Sequence, residues 1–113
     1  MKIKDLKNTL VPLNLMDREF KIAFDFNAIC ELDEVYGEFD KAIKAMNEGK
    51  GKYKAVRALV YSSIKPRYDV TLIEVGEMLT EVLNSEEKAE YLMNQIMSAI
   101  ELSMPNEKDE QGE

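Results

Sequence analysis

Residues 11–37 read VPLNLMDREFKIAFDFNAICELDEVYG, and the spacing of large apolar residues changes within this stretch. Up to Phe24 they recur at every second position, which is typical of strands with one buried face. The mostly polar residues 16–19 interrupt this alternation and predict a short hairpin loop, although they contain no Asn-Gly or Asp-Gly pair. From Asp25 the spacing becomes helical, and Gly37 ends the pattern. The stretch predicts a β-hairpin followed directly by a helix.

The predicted hairpin needs partners elsewhere in the chain. Pro12 has no N–H to donate, so its strand should lie at the edge of a sheet. A two-stranded hairpin is not stable alone in water, and each predicted strand carries three apolar residues on one face. We therefore expect the helices that follow to cover this face.

The rest of the chain shows helical periodicity with clear boundaries. Thr71 and Glu74 form a capping-box pattern, and Pro66 and Pro105 end the helices that precede them. The expected helices cover residues 25–36, 39–48, 53–64, 71–83 and 85–103. The predicted fold class is α+β and mostly helical, with an N-terminal β-hairpin followed by about five amphipathic helices. We expect one domain over residues 1–104 and a disordered acidic tail over residues 105–113.

Composition narrows the chemistry that these 113 residues can perform. There is no histidine and no tryptophan, and Cys30 is the single cysteine. His-based triads, Cys–His pairs and Cys/His zinc sites are therefore excluded. The formal charge of −7 argues against bulk attraction to nucleic acid or anionic membranes, and no apolar run approaches the roughly 20 residues that span a bilayer. We expect a soluble cytoplasmic protein that is not an enzyme and needs no cofactor.

The charges are sorted along the chain. Residues 41–67 hold eight basic residues and one acid, a net charge of +7, whereas residues 69–113 hold two basic residues and twelve acids, a net charge of −10. The simplest interpretation is that these are solvated helix faces. Two alternatives remain at this point: the two segments pair within one fold, or they pair between copies.

Other groups of residues give weaker signals. The acids at 31–34 and 74–81 fall on polar helix faces, where we expect them to be solvated rather than catalytic. The Gly-Lys-Gly-Lys sequence at 49–52 lacks the spacing of a phosphate-binding loop. Cys30 lies on an apolar stripe, so we expect it to be a small buried hydrophobe.

Three further segments follow the hairpin in a recognisable order: FDFNAICELDEVYG at 24–37, KAVRALVY at 54–61 and TLIEVGEML at 71–79. Together with the hairpin, they resemble the tail assembly chaperones of long-tailed bacteriophages and prophages, which are encoded just before the tape measure protein. The resemblance spans about residues 10–100. The turn at 16–19 departs from the family pattern because it lacks a glycine.

The resemblance implies a non-catalytic function. Such proteins bind the long, aggregation-prone tape measure protein during tail assembly and help to recruit tail tube subunits. They act in the bacterial cytoplasm and are absent from the mature virion, and in many phages a frameshift yields a second, longer product. The family assigns no catalytic, metal-binding or cofactor-binding residues, so none are carried over.

Binding of the tape measure protein, the client of such a chaperone, needs an apolar surface. The sequence suggests where this surface lies. We expect a groove between the hairpin and the last helix, with charge complementarity setting the orientation of the client. Methionine-rich surfaces accommodate varied apolar partners, although Met93 and Met97 also suit an irregular core. The candidate contact residues are Met93, Met97, Ile100, Met104, Phe20 and Ile22. The candidate charged residues are Lys50, Lys52, Lys54, Arg57, Lys65 and Arg67.

Two other classes of function compete with the chaperone. One is a tail or capsid component that self-associates as a homo-oligomer through its basic and acidic segments. The other is a small regulatory protein that binds nucleic acid through residues 41–67, where basic residues are interleaved with tyrosines. We do not expect nucleic-acid or membrane partners, because the chain as a whole is acidic.

Overall fold

The computed structural model describes residues 10–103, and all structural statements below concern this range. It contains a two-stranded antiparallel hairpin followed by five helices, which confirms the predicted α+β, mostly helical fold. The elements are β1 (Val11–Leu15), β2 (Arg18–Ile22), α1 (Phe26–Val35), α2 (Phe39–Glu48), α3 (Lys52–Ile64), α4 (Leu72–Val82) and α5 (Glu86–Ser103). The expected tail at 105–113 lies outside the described residues.

The hairpin turn is shorter than the sequence predicts. Leu15 pairs with Arg18, so the loop contains only Met16 and Asp17. Both loop residues have positive φ, 48° and 65°, as a type I′ turn requires. The expected four-residue loop at 16–19 is wrong because the right-handed twist of the strands favours this tight turn even without glycine. Glu19 therefore belongs to β2.

Side-chain caps fix where three of the helices begin. The carboxylate of Asp25 accepts a hydrogen bond from the N–H of Ala28 at the start of α1. Thr71 and Glu74 form both bonds of the capping box at the start of α4, as predicted. The hydroxyl of Ser85 accepts a backbone hydrogen bond in the first turn of α5. These bonds satisfy N–H groups that have no partner within the helix.

Glycines allow the tight connection between α2 and α3. Gly49 and Gly51 have φ values of 94° and 69°, a conformation that side chains with a Cβ rarely adopt. Gly51 also occupies the N-cap position of α3. The chain can therefore reverse direction within three residues, so α2 and α3 pack side by side.

Helix α3 is the centre of the core. It contacts α1, α2, α4 and β2, while α5 and α4 cover β1. Between Ala55 and Ile64 only two side chains, Arg57 and Tyr61, are not fully buried. The buried hydroxyls of Ser62 and Ser63 donate to carbonyls of the preceding turn of α3, so no hydroxyl is left unpaired there. The inward faces of both strands are buried in the same core, as the alternation predicts.

One sequence expectation about α1 is wrong. Cys30 is exposed rather than buried. Phe26, one turn earlier, is 80% exposed. Helix α1 instead buries Ala28 and Leu32, with Ile29 partly buried beside them. The face that carries Ala28 and Leu32 packs toward the core, so Phe26 and Cys30 lie on the solvent side of α1.

Candidate functional site

An open apolar cleft lies between the first half of α3, the second half of α4 and the first part of α5. Its volume is about 370 Å³, within the range of pockets that bind organic ligands or side chains of a partner. The residues lining this α3–α4–α5 cleft are Tyr53, Lys54, Val56, Arg57, Gly76, Leu79, Leu83 and Leu92. Six of these eight residues carry no charge, so contact with this cleft buries mainly apolar surface.

The floor of the cleft is closed and its rim is open. Val56, Leu79 and Leu92 are buried at the bottom, where they belong to the main core. Tyr53 and Leu83 stand at the rim and are 69% and 56% exposed. Two exposed large apolar side chains beside a buried apolar floor form the kind of surface that a partner covers.

Gly76 shapes one wall of the cleft. A Cβ placed on Gly76 would lie 3.5 Å from Cδ of Arg57, an ordinary van der Waals distance. The aliphatic part of Arg57 therefore lies against the one position of α4 that has no side chain. This contact uses the apolar stem of the arginine and leaves its charge near the cleft.

The charged side chains of the cleft have one sign. Lys54 and Arg57 line it, and within residues 10–103 no acid does. Neither cation forms an ion pair with an acid in this part of the chain. The cleft therefore combines an apolar lining with two cationic side chains, which favours a partner that is both apolar and acidic.

Two other depressions flank the hairpin turn, and their linings are more polar than that of the α3–α4–α5 cleft. The larger has a volume of about 760 Å³ and is lined mainly by polar and charged residues of the turn, α4 and α5. The smaller, about 230 Å³, has Glu74 and Glu77 beside Arg18 and exposed Met16. Charges of both signs line these depressions, so they lack the uniform apolar and cationic character of the cleft.

One outward N–H group on each strand of the hairpin already has a partner. On the β1 edge, the N–H of Asn14 donates to the hydroxyl of Tyr91 at 3.0 Å. On the β2 edge, the N–H of Lys21 donates to the hydroxyl of Tyr68 at 3.0 Å. An unpaired strand edge can form hydrogen bonds with a strand of another molecule. The hydroxyls of these two tyrosines accept hydrogen bonds from N–H groups that such a strand would need.

Carbonyl groups of the same edges are also engaged. The Nε2 of Gln95 donates to the carbonyl of Pro12 at 2.7 Å, and the Nε of Arg67 donates to the carbonyl of Lys21 at 3.2 Å. Pro12 itself has no N–H, so the β1 edge offers little to an added strand. The hairpin is therefore poorly suited to extension by a strand from a partner.

Arg67 has a structural role that the sequence did not predict. Besides the carbonyl of Lys21, its guanidinium donates to the carboxylate of Asp25 at 3.0 Å and to the carbonyls of Ala23 and Ser63 at 3.2 and 2.9 Å. One side chain thus ties the end of β2 and the start of α1 to the end of α3. Arg67 was predicted to contact a partner, and the structure shows that its guanidinium is engaged within the fold.

The apolar groove expected between the hairpin and the last helix is closed. Phe20, Ile22 and Ile100 were candidate contact residues, but all three are buried in the core. The rings of Phe20 and Tyr68 also pack in a T-shaped arrangement, with ring centroids 5.0 Å apart. In this fold these residues hold the hairpin against the helices and present no surface to a partner.

Two of the three candidate methionines lie within the described residues, and both are partly buried. Met93 and Met97 are partly buried and pack against the core, so they contribute mainly to the core. Met104 lies outside the described residues. The methionine pattern of the last helix therefore reflects packing more than an exposed contact surface.

The structure places the candidate basic residues in different settings. Only Lys54 and Arg57 line the α3–α4–α5 cleft. Of the others, Lys50 is exposed, Lys52 and Lys65 are partly exposed, and Arg67 is engaged as described above. Within residues 10–103, no ion pair joins the basic segment 41–67 to residues 69–103. The charges of the two segments are thus not neutralised by each other in this part of the fold.

Sequence reasoning missed the rim residue Leu83 and treated Tyr53 only as an aromatic among basic residues. A signal for Leu83 exists in its spacing. It lies four residues after Leu79 and seven after Gly76, so the three share one face of α4. That face is only partly covered, and a single helix pattern does not show how far a neighbouring helix reaches.

Residues 10–103 contain neither a cluster of metal ligands nor a membrane-spanning helix. No group of three or more acidic or cysteine side chains there is arranged to hold a metal ion. No helix of this range has both the length and the apolar character needed to cross a membrane. No family model matches the chain, and no curated protein or solved structure matches it with statistical significance.

Proposed function

We propose that this chain is a non-catalytic tail assembly chaperone of a long-tailed phage or prophage, which binds the tape measure protein and aids assembly of the tail tube. The chaperone acts in the cytoplasm of the host cell and leaves before the virion is complete. Support comes from the motif order at 24–37, 54–61 and 71–79 and from the hairpin and helices that carry those motifs in the fold.

One observation carries the proposal: the α3–α4–α5 cleft exposes Tyr53 and Leu83 beside an apolar floor. Complete burial of one large apolar side chain contributes about 1.5–3 kcal/mol. Covering both rim residues therefore contributes a few kcal/mol, from which the entropy cost of association is subtracted. A contribution of this size favours reversible binding, which is what a chaperone absent from the final particle requires.

Co-expression with the client tests this proposal. The client is the tape measure protein, which the family resemblance places in the next gene. It is produced with this chain, without it, or with an unrelated acidic protein of similar size. We expect the soluble fraction of the client to rise several-fold only with this chain, and the two proteins to elute together. An unchanged soluble fraction, or this chain found in stoichiometric amounts in mature particles, would contradict the proposal.

A second candidate function is a self-associating structural component. It is favoured by the separated charges, which form no ion pairs between segments 41–67 and 69–103 in the described part of the chain. Sedimentation velocity at about 0.05 M and about 0.5 M salt separates the two candidates, because salt screens contacts between exposed charges. A stable oligomer that dissociates at high salt supports self-association, whereas a monomer at both salt concentrations supports the chaperone.

A further inference from the structure

The α3–α4–α5 cleft also indicates in which conformation the client is bound, and this inference rests on the proposed function. We infer that the cleft binds an amphipathic helix of the client, with apolar side chains on the floor and acidic side chains beside Lys54 and Arg57. Three independent features of the described residues carry this inference: the engaged strand edges, the shape of the cleft and the sign of its charges.

The strand edges argue against an extended client. Capture by strand addition needs free N–H and C=O groups along a sheet edge. On the β1 edge of this hairpin, Tyr91 and Gln95 already bond the N–H of Asn14 and the carbonyl of Pro12. On the β2 edge, Tyr68 and Arg67 bond the N–H and the carbonyl of Lys21. A client strand would have to displace these hydrogen bonds, so the free energy of binding would have to come from elsewhere.

The cleft has a volume of about 370 Å³ and three helical walls, which suits apolar side chains that project from one face of a partner helix. Its walls are helices α3, α4 and α5, and its apolar floor lies between the rim residues Tyr53 and Leu83. A helix that docks in such a groove uses side chains spaced three and four residues apart and keeps its own backbone hydrogen bonds. No unpaired backbone group of the client is then buried.

The charges of the cleft select the polar face of that helix. Lys54 and Arg57 are three residues apart on α3, so both lie along the same side of the cleft. Acidic side chains that flank the apolar stripe of the client come close to both cations, whereas basic ones are repelled. The cations therefore discriminate between helices of equal hydrophobicity.

Three fluorescent peptides test the inference on the full chain. Each has about 18 residues, long enough for measurable helicity, and the same leucine stripe. The first has glutamates on its polar face, the second has lysines, and the third is the glutamate peptide interrupted by two prolines. We expect the glutamate helix to bind at least about tenfold more tightly than either of the others, with weaker binding at high salt.

Matched variants show where the peptide binds. Leu83→Asn should weaken binding of the glutamate helix at least about fivefold, whereas Ile73→Asn, at a 72% exposed position of α4 outside the cleft lining, should not. The charge-matched pair is Lys54→Glu with Arg57→Glu, compared with Lys41→Glu with Lys44→Glu. Only the first double variant should abolish the preference for glutamate over lysine. Circular dichroism checks that each variant remains folded.

The outcomes separate this inference from the proposed function. Equal binding of the acidic and basic helices, equal effects of Leu83→Asn and Ile73→Asn, or no binding of any peptide would overturn the inference. If the chain nevertheless keeps the client soluble, the proposed function stands and the binding surface lies elsewhere. An oligomer that dissociates only in the Lys54→Glu, Arg57→Glu variant would assign the cleft to a second copy, which also overturns the inference.

Discussion

The two sides of this molecule use similar side chains in opposite ways. On the hairpin side, the hydroxyls of Tyr68 and Tyr91 accept hydrogen bonds from backbone N–H groups, and Arg67 donates four hydrogen bonds. On the cleft side, Tyr53 is exposed, and Arg57 forms no ion pair within residues 10–103. Tyrosine and arginine thus complete the fold on one side and remain available to a partner on the other.

Residue type alone therefore does not mark a binding surface. A buried polar side chain with satisfied hydrogen bonds contributes to a unique structure, since its partners lose their hydrogen bonds if it is removed. An exposed side chain of the same type contributes little to stability and is free to contact another molecule. Stability and binding should therefore respond to mutation on opposite sides of the molecule.

The largest contrast in stability should come from the buried and exposed apolar residues. Replacing Phe20 by alanine removes a fully buried ring at the centre of the hairpin side, and we expect a loss of about 4 kcal/mol in the free energy of unfolding. Leu83→Ala at the cleft rim should cost less than about 0.5 kcal/mol. Urea denaturation monitored by circular dichroism measures both. Equal losses would show that the cleft side is as tightly packed as the hairpin side.

The next largest difference in stability should be between variants of Arg67 and Arg57. Arg67→Met keeps an apolar stem but leaves the carboxylate of Asp25 and three carbonyls without this donor, and we expect a loss of about 2–3 kcal/mol. Arg57→Met keeps the contact with Gly76 and should change stability by less than about 0.5 kcal/mol. The same denaturation experiment applies. A large loss of stability in Arg57→Met would show that Arg57, like Arg67, stabilises the fold.

A smaller contrast concerns the tyrosine hydroxyls. Tyr91→Phe removes the acceptor of the Asn14 N–H and should cost about 1 kcal/mol. Tyr53→Phe, at an exposed position, should cost nothing measurable. Thermal unfolding gives the stabilities, and amide exchange of Asn14 by nuclear magnetic resonance should accelerate only in Tyr91→Phe. Unchanged exchange would mean that this strand edge is protected by some other group.

The smallest expected change in stability is a gain rather than a loss. Gly76 lies inside α4, and a Cβ there would meet Arg57 at an ordinary contact distance of 3.5 Å. Gly76→Ala should therefore stabilise the chain by about 0.5–1 kcal/mol, because alanine favours helix more than glycine does. Thermal unfolding measures this gain. Destabilisation would show that the wall of the cleft does not tolerate even one methyl group.

Much of the fold could be predicted from sequence because it depends on local signals. The alternation at 11–24 predicts the hairpin, and the Thr71 capping box predicts the start of α4; both are confirmed. The turn length was wrong because Met16 and Asp17 adopt positive φ without the usual glycine or asparagine. Strand twist decided this conformation, and strand twist is not visible in the residues of the turn.

The site was harder to predict because it depends on how helices cover each other. Leu83 continues a face of α4 that looks like core in sequence, yet it is 56% exposed because α3 and α5 leave a gap there. Phe20 and Ile22 were expected to contact a partner and are instead covered by helices of the same chain. Hydrophobic periodicity identifies apolar faces, and only tertiary packing decides which of them stay open.

Hydrogen–deuterium exchange of the whole chain, with and without the soluble client, shows whether the client covers the α3–α4–α5 cleft. The exposed ends of helices exchange fastest, so a partner that covers them slows their exchange. Slower exchange on client binding is expected at residues 53–57 and 76–83, with no change in β1 or at 93–103. Slowing confined to β1 and residues 93–103 would contradict the account, because the client would then bind the hairpin side and leave the cleft empty.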